Sequence, residues 1–170
     1  MAEYELSRQY LDRLRQDFII EEQVKGRHFS GKLMIIDAVA RPIQSNLWKN
    51  PDVALGIEFK DIDRFDKSYD TNNYTKWLSQ CVDYAHTDWE GAGYIHIFAC
   101  PDLIGSVAKG AMESSFFVQN FMSQLGVGEL KELERYGLTF ILSSQHRIWS
   151  EYKGVESGKH YGMKRKFGSR

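Results

Sequence analysis

Glu58 and Lys60 stand two residues apart in the run VALGIEFK, residues 53–60. In an extended chain side chains alternate between faces, so this carboxylate and ammonium project together while Ile57 and Phe59 face the other way. Upstream, the run KLMIIDAVA places Asp37 after the apolar Leu33 and Ile35. If the two runs pair as neighbouring strands, with Asp37 closing the first, two carboxylates and a lysine meet at one strand end. Such oxygen ligands suit a hard divalent cation, because Mg2+ takes one or two carboxylates together with water and phosphate. A cation held there polarises a phosphoryl oxygen and lowers the pKa of a bound water. A lysine beside it stabilises the negative charge that grows at phosphorus.

The tripeptide Glu-x-Lys carries little information alone, since Glu129-Leu130-Lys131 and Glu151-Tyr152-Lys153 repeat it. The setting singles out Glu58: it ends an apolar run, an Asp-bearing apolar run precedes it, and an amphipathic helix follows. The plainer reading of the same residues is an exposed ion pair at a sheet edge, worth roughly 0–1 kcal/mol. On that reading Asp37 caps a turn, and Gln80 and Tyr84 border the core.

The elements that must position these groups begin with a helix, in which Tyr4, Leu6, Tyr10, Leu11 and Leu14 recur at three- and four-residue steps. FIIEEQVKG predicts a first strand, residues 26–31 a turn, KLMIIDAVA a second strand, residues 41–52 a connection and VALGIEFK a third strand. Tyr74, Trp77, Leu78, Cys81, Tyr84 and Ala85 then share one face of a helix. Gln80 and Tyr84, four apart, lie together on its flank. GYIHIFACP predicts a further strand, SSFFVQNFMSQLG a helix ending at Gly126, and LTFILSSQHRIW one or two more strands. This order predicts an α/β fold with a mixed sheet flanked by helices.

The segments IIDAVARP, GIEFK and QCVDY resemble the Asp, (Asp/Glu)-x-Lys and Gln-x-x-x-Tyr motifs of the PD-(D/E)xK nucleases, with the RecB and lambda-exonuclease-like branch the nearest in pattern. The resemblance spans roughly residues 4–100. It implies a restriction-endonuclease-like αβββαβ core; the residues themselves predict a C-terminal helix and strands over about residues 101–155, one domain over residues 1–155, and a loose basic tail at 156–170. The resemblance further implies a Mg2+- or Mn2+-dependent deoxyribonuclease in which Asp37 and Glu58 bind metal, Lys60 serves catalysis, and Gln80 and Tyr84 buttress the site or touch DNA. Family members often have another acid or histidine before the Asp strand; Glu21, Glu22 and His28 are the candidates, with Glu22 favoured. Ile36 stands where the name-giving proline would be. The alternative is a catalytically inactive module of the same fold that binds nucleic acid or a protein.

Arg41, Lys49, Arg64, Lys67 and Lys76 flank the proposed site, interleaved with Trp48, Tyr69, Tyr74 and Trp77. Cations with aromatic rings suit a phosphate backbone and unstacked bases, which nominates Arg41, Lys49, Arg64 and Lys76 as DNA contacts. The whole chain is not basic: its formal charge is −1, so any such surface is local, or completed by a homo-oligomer or a partner protein. A hydrophobic content of 42% over 170 residues is enough for one ordinary core and argues against disorder. No apolar run is long enough to span a bilayer, and the charged N-terminus is unlike a secretory signal, so the expectation is cytoplasmic. Cys81 and Cys100 then read as buried thiols. None of the five histidines pairs at zinc spacing, and neither a glycine-rich phosphate loop nor a nucleophile elbow is present.

Overall fold

The computed structural model describes residues 3–60, 71–101, 121–143 and 146–155. The helix α1 (Glu3–Leu14) leads into a long antiparallel pair, β1 (Phe18–His28) and β2 (Leu33–Pro42). A short 3-10 turn at Ser45–Leu47 precedes β3 (Leu55–Ile57), and α2 spans Thr71–Ala85. The small hairpin β4 (Thr87–Trp89) and β5 (Gly93–Tyr94) comes before β6 (Phe98–Pro101). The strands β7 (Val127–Leu133), β8 (Gly137–Ser143), β9 (His146–Ser150) and β10 (Gly154–Val155) follow. All ten lie in one sheet of order β10-β9-β8-β7-β6-β3-β2-β1-β4-β5. The sheet is mixed: β3, β6 and β7 run parallel and the other pairs antiparallel. Among the described residues no helix is long and apolar enough to cross a membrane.

Each helix covers its own face of the sheet. Leu11 and Leu14 of α1 pack with Ala38, Ala40, Leu55, Ile57 and Phe59, whereas Trp77, Cys81 and Tyr84 of α2 pack with Ile36, Val39 and Phe98. Adjacent residues Ala38 and Val39 thus look into opposite cores, as strand alternation requires. Trp48 belongs to the α1 core, where its ring meets Phe18 edge-on, and Trp77 is buried under α2. Neither indole is open to a stacked base, so the expected aromatic platform lacks both.

Several boundaries differ from expectation. β1 runs through to His28, and Gly26, expected in a turn, lies within it. A Cβ at Gly26 would strike Thr87 and Trp89 on the neighbouring strand. β2 continues five residues past Asp37 to Pro42, so Asp37 sits within its strand and does not close it. The expected strand at residues 93–101 is divided into β5 and β6. β4 and β7 form without having been anticipated, and β7 carries Glu129 buried at 2% exposure. A polar-looking tripeptide therefore occupied a strand because its neighbours β6 and β8 pair with it on both sides. Residues 121–124 are helical, as expected, and Gly126 follows at φ 76°; the earlier part of that expected helix lies outside the described residues.

The central irregularity is in β1 and β2. Phe18 and Ile20 face the α1 core, but Val24 faces the α2 core; across the ladder, Ala38 and Ala40 face α1 while Ile36 faces α2. Residues of equal parity have changed sides on both strands. The change is bracketed by the pairs Glu22↔Ala38 and Val24↔Ile36, which leaves Gln23 and Asp37 at its centre. Gln23 has φ 52°, the left-handed region, and is the one described non-glycine residue with a positive φ. Such backbone costs on the order of 1–3 kcal/mol and persists where its surroundings hold it.

Candidate functional site

Glu58 follows β3, where its N–H donates to the Ala99 carbonyl at 3.0 Å and keeps the strand tied to β6. Two residues earlier, Gly56 lies so close to Phe98 and Ile36 that a Cβ there would collide with both. That close packing sets the depth at which the Glu58 carboxylate meets α2. Ile57 and Phe59 point into the α1 core, while Glu58 and Lys60 turn to the other face.

Four functional groups close into one network there. Lys60 Nζ donates to Glu58 Oε1 at 2.8 Å and to Gln80 Oε1 at 2.9 Å. The Gln80 amide donates to Glu58 Oε1 at 2.9 Å and also to the Tyr84 hydroxyl. Both N–H groups and the oxygen of that amide are thereby used. The Tyr84 hydroxyl is 3.0 Å from both Glu58 Oε2 and the Ile35 carbonyl, with one proton to serve the two. The spacing of Gln80 and Tyr84 along α2 delivers them to the same carboxylate. Trp77, a turn earlier, sets its ring 5.5 Å from the Lys60 ammonium.

Glu58 is only 8% exposed, so the pair is not a solvated one at a sheet edge. Burial is the largest influence and pushes its carboxyl above the ordinary glutamate value; Lys60 opposes this and nearby Asp37 reinforces it. Even a lysine at hydrogen-bond distance does not offset the loss of water. Burial also pushes the Tyr84 hydroxyl and the Cys81 and Cys100 thiols up. The two thiols are free and buried, and as thiols they are poor metal ligands.

Asp37, on β2, is tied to the backbone between Glu58 and Lys60 and not to their side chains. Its Oδ2 accepts the Phe59 N–H at 2.8 Å, taking over from the β2–β3 ladder just past Ala38↔Ile57. Its Oδ1 accepts from Gln23 Nε2 at 3.1 Å. Asp37 is half-buried and lines a cavity of about 590 Å3 shared with Glu22, Gln23, Phe59 and residues of α1. Gln23 is the positioning group that sequence reasoning missed. Its strand looks unbroken from composition, and the positive φ that turns it toward Asp37 leaves no mark in residue type.

The remaining candidates divide. The Glu22 carboxylate is paired with Arg15 at the rim of that cavity, and Glu21 is paired with Arg41. His28 sits at the hairpin end beside Phe29 and His86, about 17 Å along β1 from Gln23. Arg41 is four residues, about 13 Å, along β2 from Asp37 and is occupied by Glu21 and the Gly91 carbonyl. Lys76 is exposed one helical turn before Gln80, and Lys49 is exposed beyond the 3-10 turn. Arg64, Lys67 and Tyr69 lie outside the described residues, as does the side chain of Tyr74.

Among the described residues no three His, Cys, Asp or Glu side chains gather as a closed metal cage. Asp37 and Glu58 are carboxylates on adjacent segments that sense one another electrostatically; Asp37 lines the water-accessible cavity, and Glu58 is not part of its lining. Carboxylate oxygens of this kind would suit Mg2+ or Mn2+, which keep several positions for water and phosphate, better than a cation that needs soft ligands. No protein-family model matches the chain, and no curated protein or solved structure matches it either.

Proposed function

We propose that the chain is a metal-dependent nuclease that hydrolyses phosphodiester bonds of DNA on a restriction-endonuclease-like core. One observation carries this reading: Glu58, Lys60, Gln80 and Tyr84 form a single buried network, and Asp37 is clasped to the backbone of the residue between Glu58 and Lys60. The order α1, β1, β2, β3, α2, β6, with β3 and β6 parallel, is compatible with the αβββαβ pattern. The short hairpin β4–β5 is an addition between α2 and β6.

Asp37 and Glu58 would hold the cation, which supplies Lewis-acid polarisation of a phosphoryl oxygen and a water of lowered pKa. Lys60 spends two ammonium hydrogens on Glu58 and Gln80, leaving a third to donate to a phosphoryl oxygen or the attacking water. Gln80 and Tyr84 fix the Glu58 carboxylate in one rotamer by bonding both of its oxygens. Gln23 and the Phe59 N–H do the same for Asp37.

The test is a cleavage assay on linear duplex, circular and single-stranded DNA with Mg2+, Mn2+ or EDTA. Cleavage that needs metal and is lost in Asp37→Ala supports the nuclease. No cleavage, or equal cleavage by the variant, leaves a binding module of the same fold as the better account.

A further inference from the structure

The cavity beside Asp37 has a charge pattern that the cleavage chemistry does not by itself require. Its lining includes the cations Arg8 of α1 and Arg15 of the turn just after it, and the carboxylates Asp12, Glu22 and Asp37, one net negative charge. A polyanion is repelled by that lining until a divalent cation on Asp37 reverses its sign. Arg15 holds the decisive position. Its guanidinium is paired with the Glu22 carboxylate and lies 3.7 Å from Asp12, and the side chains of Arg15 and Glu22 are 42% and 52% exposed. An ion pair so open to water is weak and exchangeable. A phosphodiester offers the same guanidinium two oxygens in a matching geometry.

We propose that this cavity takes the phosphodiester backbone of a DNA strand, with Arg15 gripping a phosphate and Glu22 occupying Arg15 until that phosphate displaces it. The inference rests on the nuclease reading, since Asp37 forms part of the cavity wall. Glu22 is then an electrostatic gate and not a third metal ligand. Its engagement with a guanidinium, on the α1 side of the cavity, is what separates the two roles. The gate acts through Arg15, so removing it helps DNA only while Arg15 is present.

The experiment measures fluorescence anisotropy of a labelled single-stranded DNA oligonucleotide in Mn2+. The full chain carries Lys60→Ala to prevent cutting and is compared with Glu22→Gln, Arg15→Gln and both changes added. Glu22→Gln is expected to tighten Kd by about two- to fivefold, the scale of the exposed ion pair that the phosphate no longer has to displace. Arg15→Gln weakens Kd by about tenfold and lowers the slope of log K against log salt by about one. The double change behaves as Arg15→Gln alone. With Lys60 intact, Glu22→Gln lowers KM for DNA and retains Mn2+-dependent turnover. Loss of that turnover, or an equal tightening by Glu22→Gln when Arg15 is already gone, overturns the gate and leaves the nuclease reading standing. Absence of any DNA cleavage by the unaltered chain removes that reading and the gate together.

Discussion

Glu58-Phe59-Lys60 and Glu151-Tyr152-Lys153 share one pattern of residues and sit in opposite electrostatic surroundings. Glu151 accepts from Arg13 and from the Leu138 N–H, and Arg13 also reaches Glu132. Arg13 holds the Glu151 carboxyl below the ordinary glutamate value. Glu58 is bonded just as fully, but burial holds its carboxyl above that value despite Lys60. The first arrangement ties α1 to the turn after β9 and is satisfied by what surrounds it. The second keeps a buried carboxylate whose charged form is disfavoured by loss of water and only partly offset by Lys60, and groups perturbed in this way are candidates for function. A tripeptide cannot distinguish these cases; the number of cations, and how dry the place is, can.

The comparison breaks most visibly at the lysines. Lys60→Ala should reduce DNA cleavage by about 10²-fold or more, the scale of a lost electrostatic group. Lys153→Ala should leave turnover unchanged, and steady-state kinetics on both variants decides it. Next in size, Arg13→Ala strips partners from two carboxylates and should cost about 2 kcal/mol. In a chain of this length that lowers Tm by roughly 4–8 °C in a thermal melt, with cleavage retained below the transition.

Glu58→Gln should do the reverse: abolish cleavage and raise the Tm of the metal-free protein. The direction follows from linkage. A carboxyl raised in the folded state adds stability that is present below its unfolded pKa and lost as pH rises through the folded value. At neutral pH the buried Glu58 carboxylate therefore weighs against the fold. Glu151, lowered in the folded state, contributes above its unfolded pKa and loses that contribution as pH falls through the folded value. Melts of Glu58→Gln and Glu151→Gln against pH should show their differences from the parent at neutral pH, with opposite signs. Both differences shrink as the solution is acidified.

The smallest effect is expected at Gln23. Gln23→Gly relieves a left-handed backbone, partly offset by the greater freedom of glycine in the unfolded chain, and should raise Tm by about 1–2 °C. It also removes the amide on Asp37, so Mn2+ affinity should fall by about tenfold. A variant that melts higher and binds metal unchanged would make Gln23 merely strained.

Much of this centre was legible in residue order. Alternation placed Glu58 and Lys60 on one face, and the four-residue step brought Gln80 and Tyr84 to the same carboxylate. What stayed hidden depends on tertiary neighbours. The face change at Gln23 and Asp37 arises from a backbone angle that residue types do not announce. The polar β7 is a strand because β6 and β8 flank it. Trp48 looked like a surface ring among cations, yet Phe18 and the α1 core claim it. Arg41 looked free for phosphate, but Glu21, across the sheet pair, already holds it.

The most direct measurement is a Mn2+ titration by calorimetry on the metal-free chain and on Asp37→Asn, Glu58→Gln and Glu151→Gln. The account predicts one ion per chain, an affinity reduced about tenfold or more in each of the first two variants, and no change in the third. Equal affinity in Glu58→Gln and the parent would contradict it, because the buried carboxylate would then have no part in holding a cation.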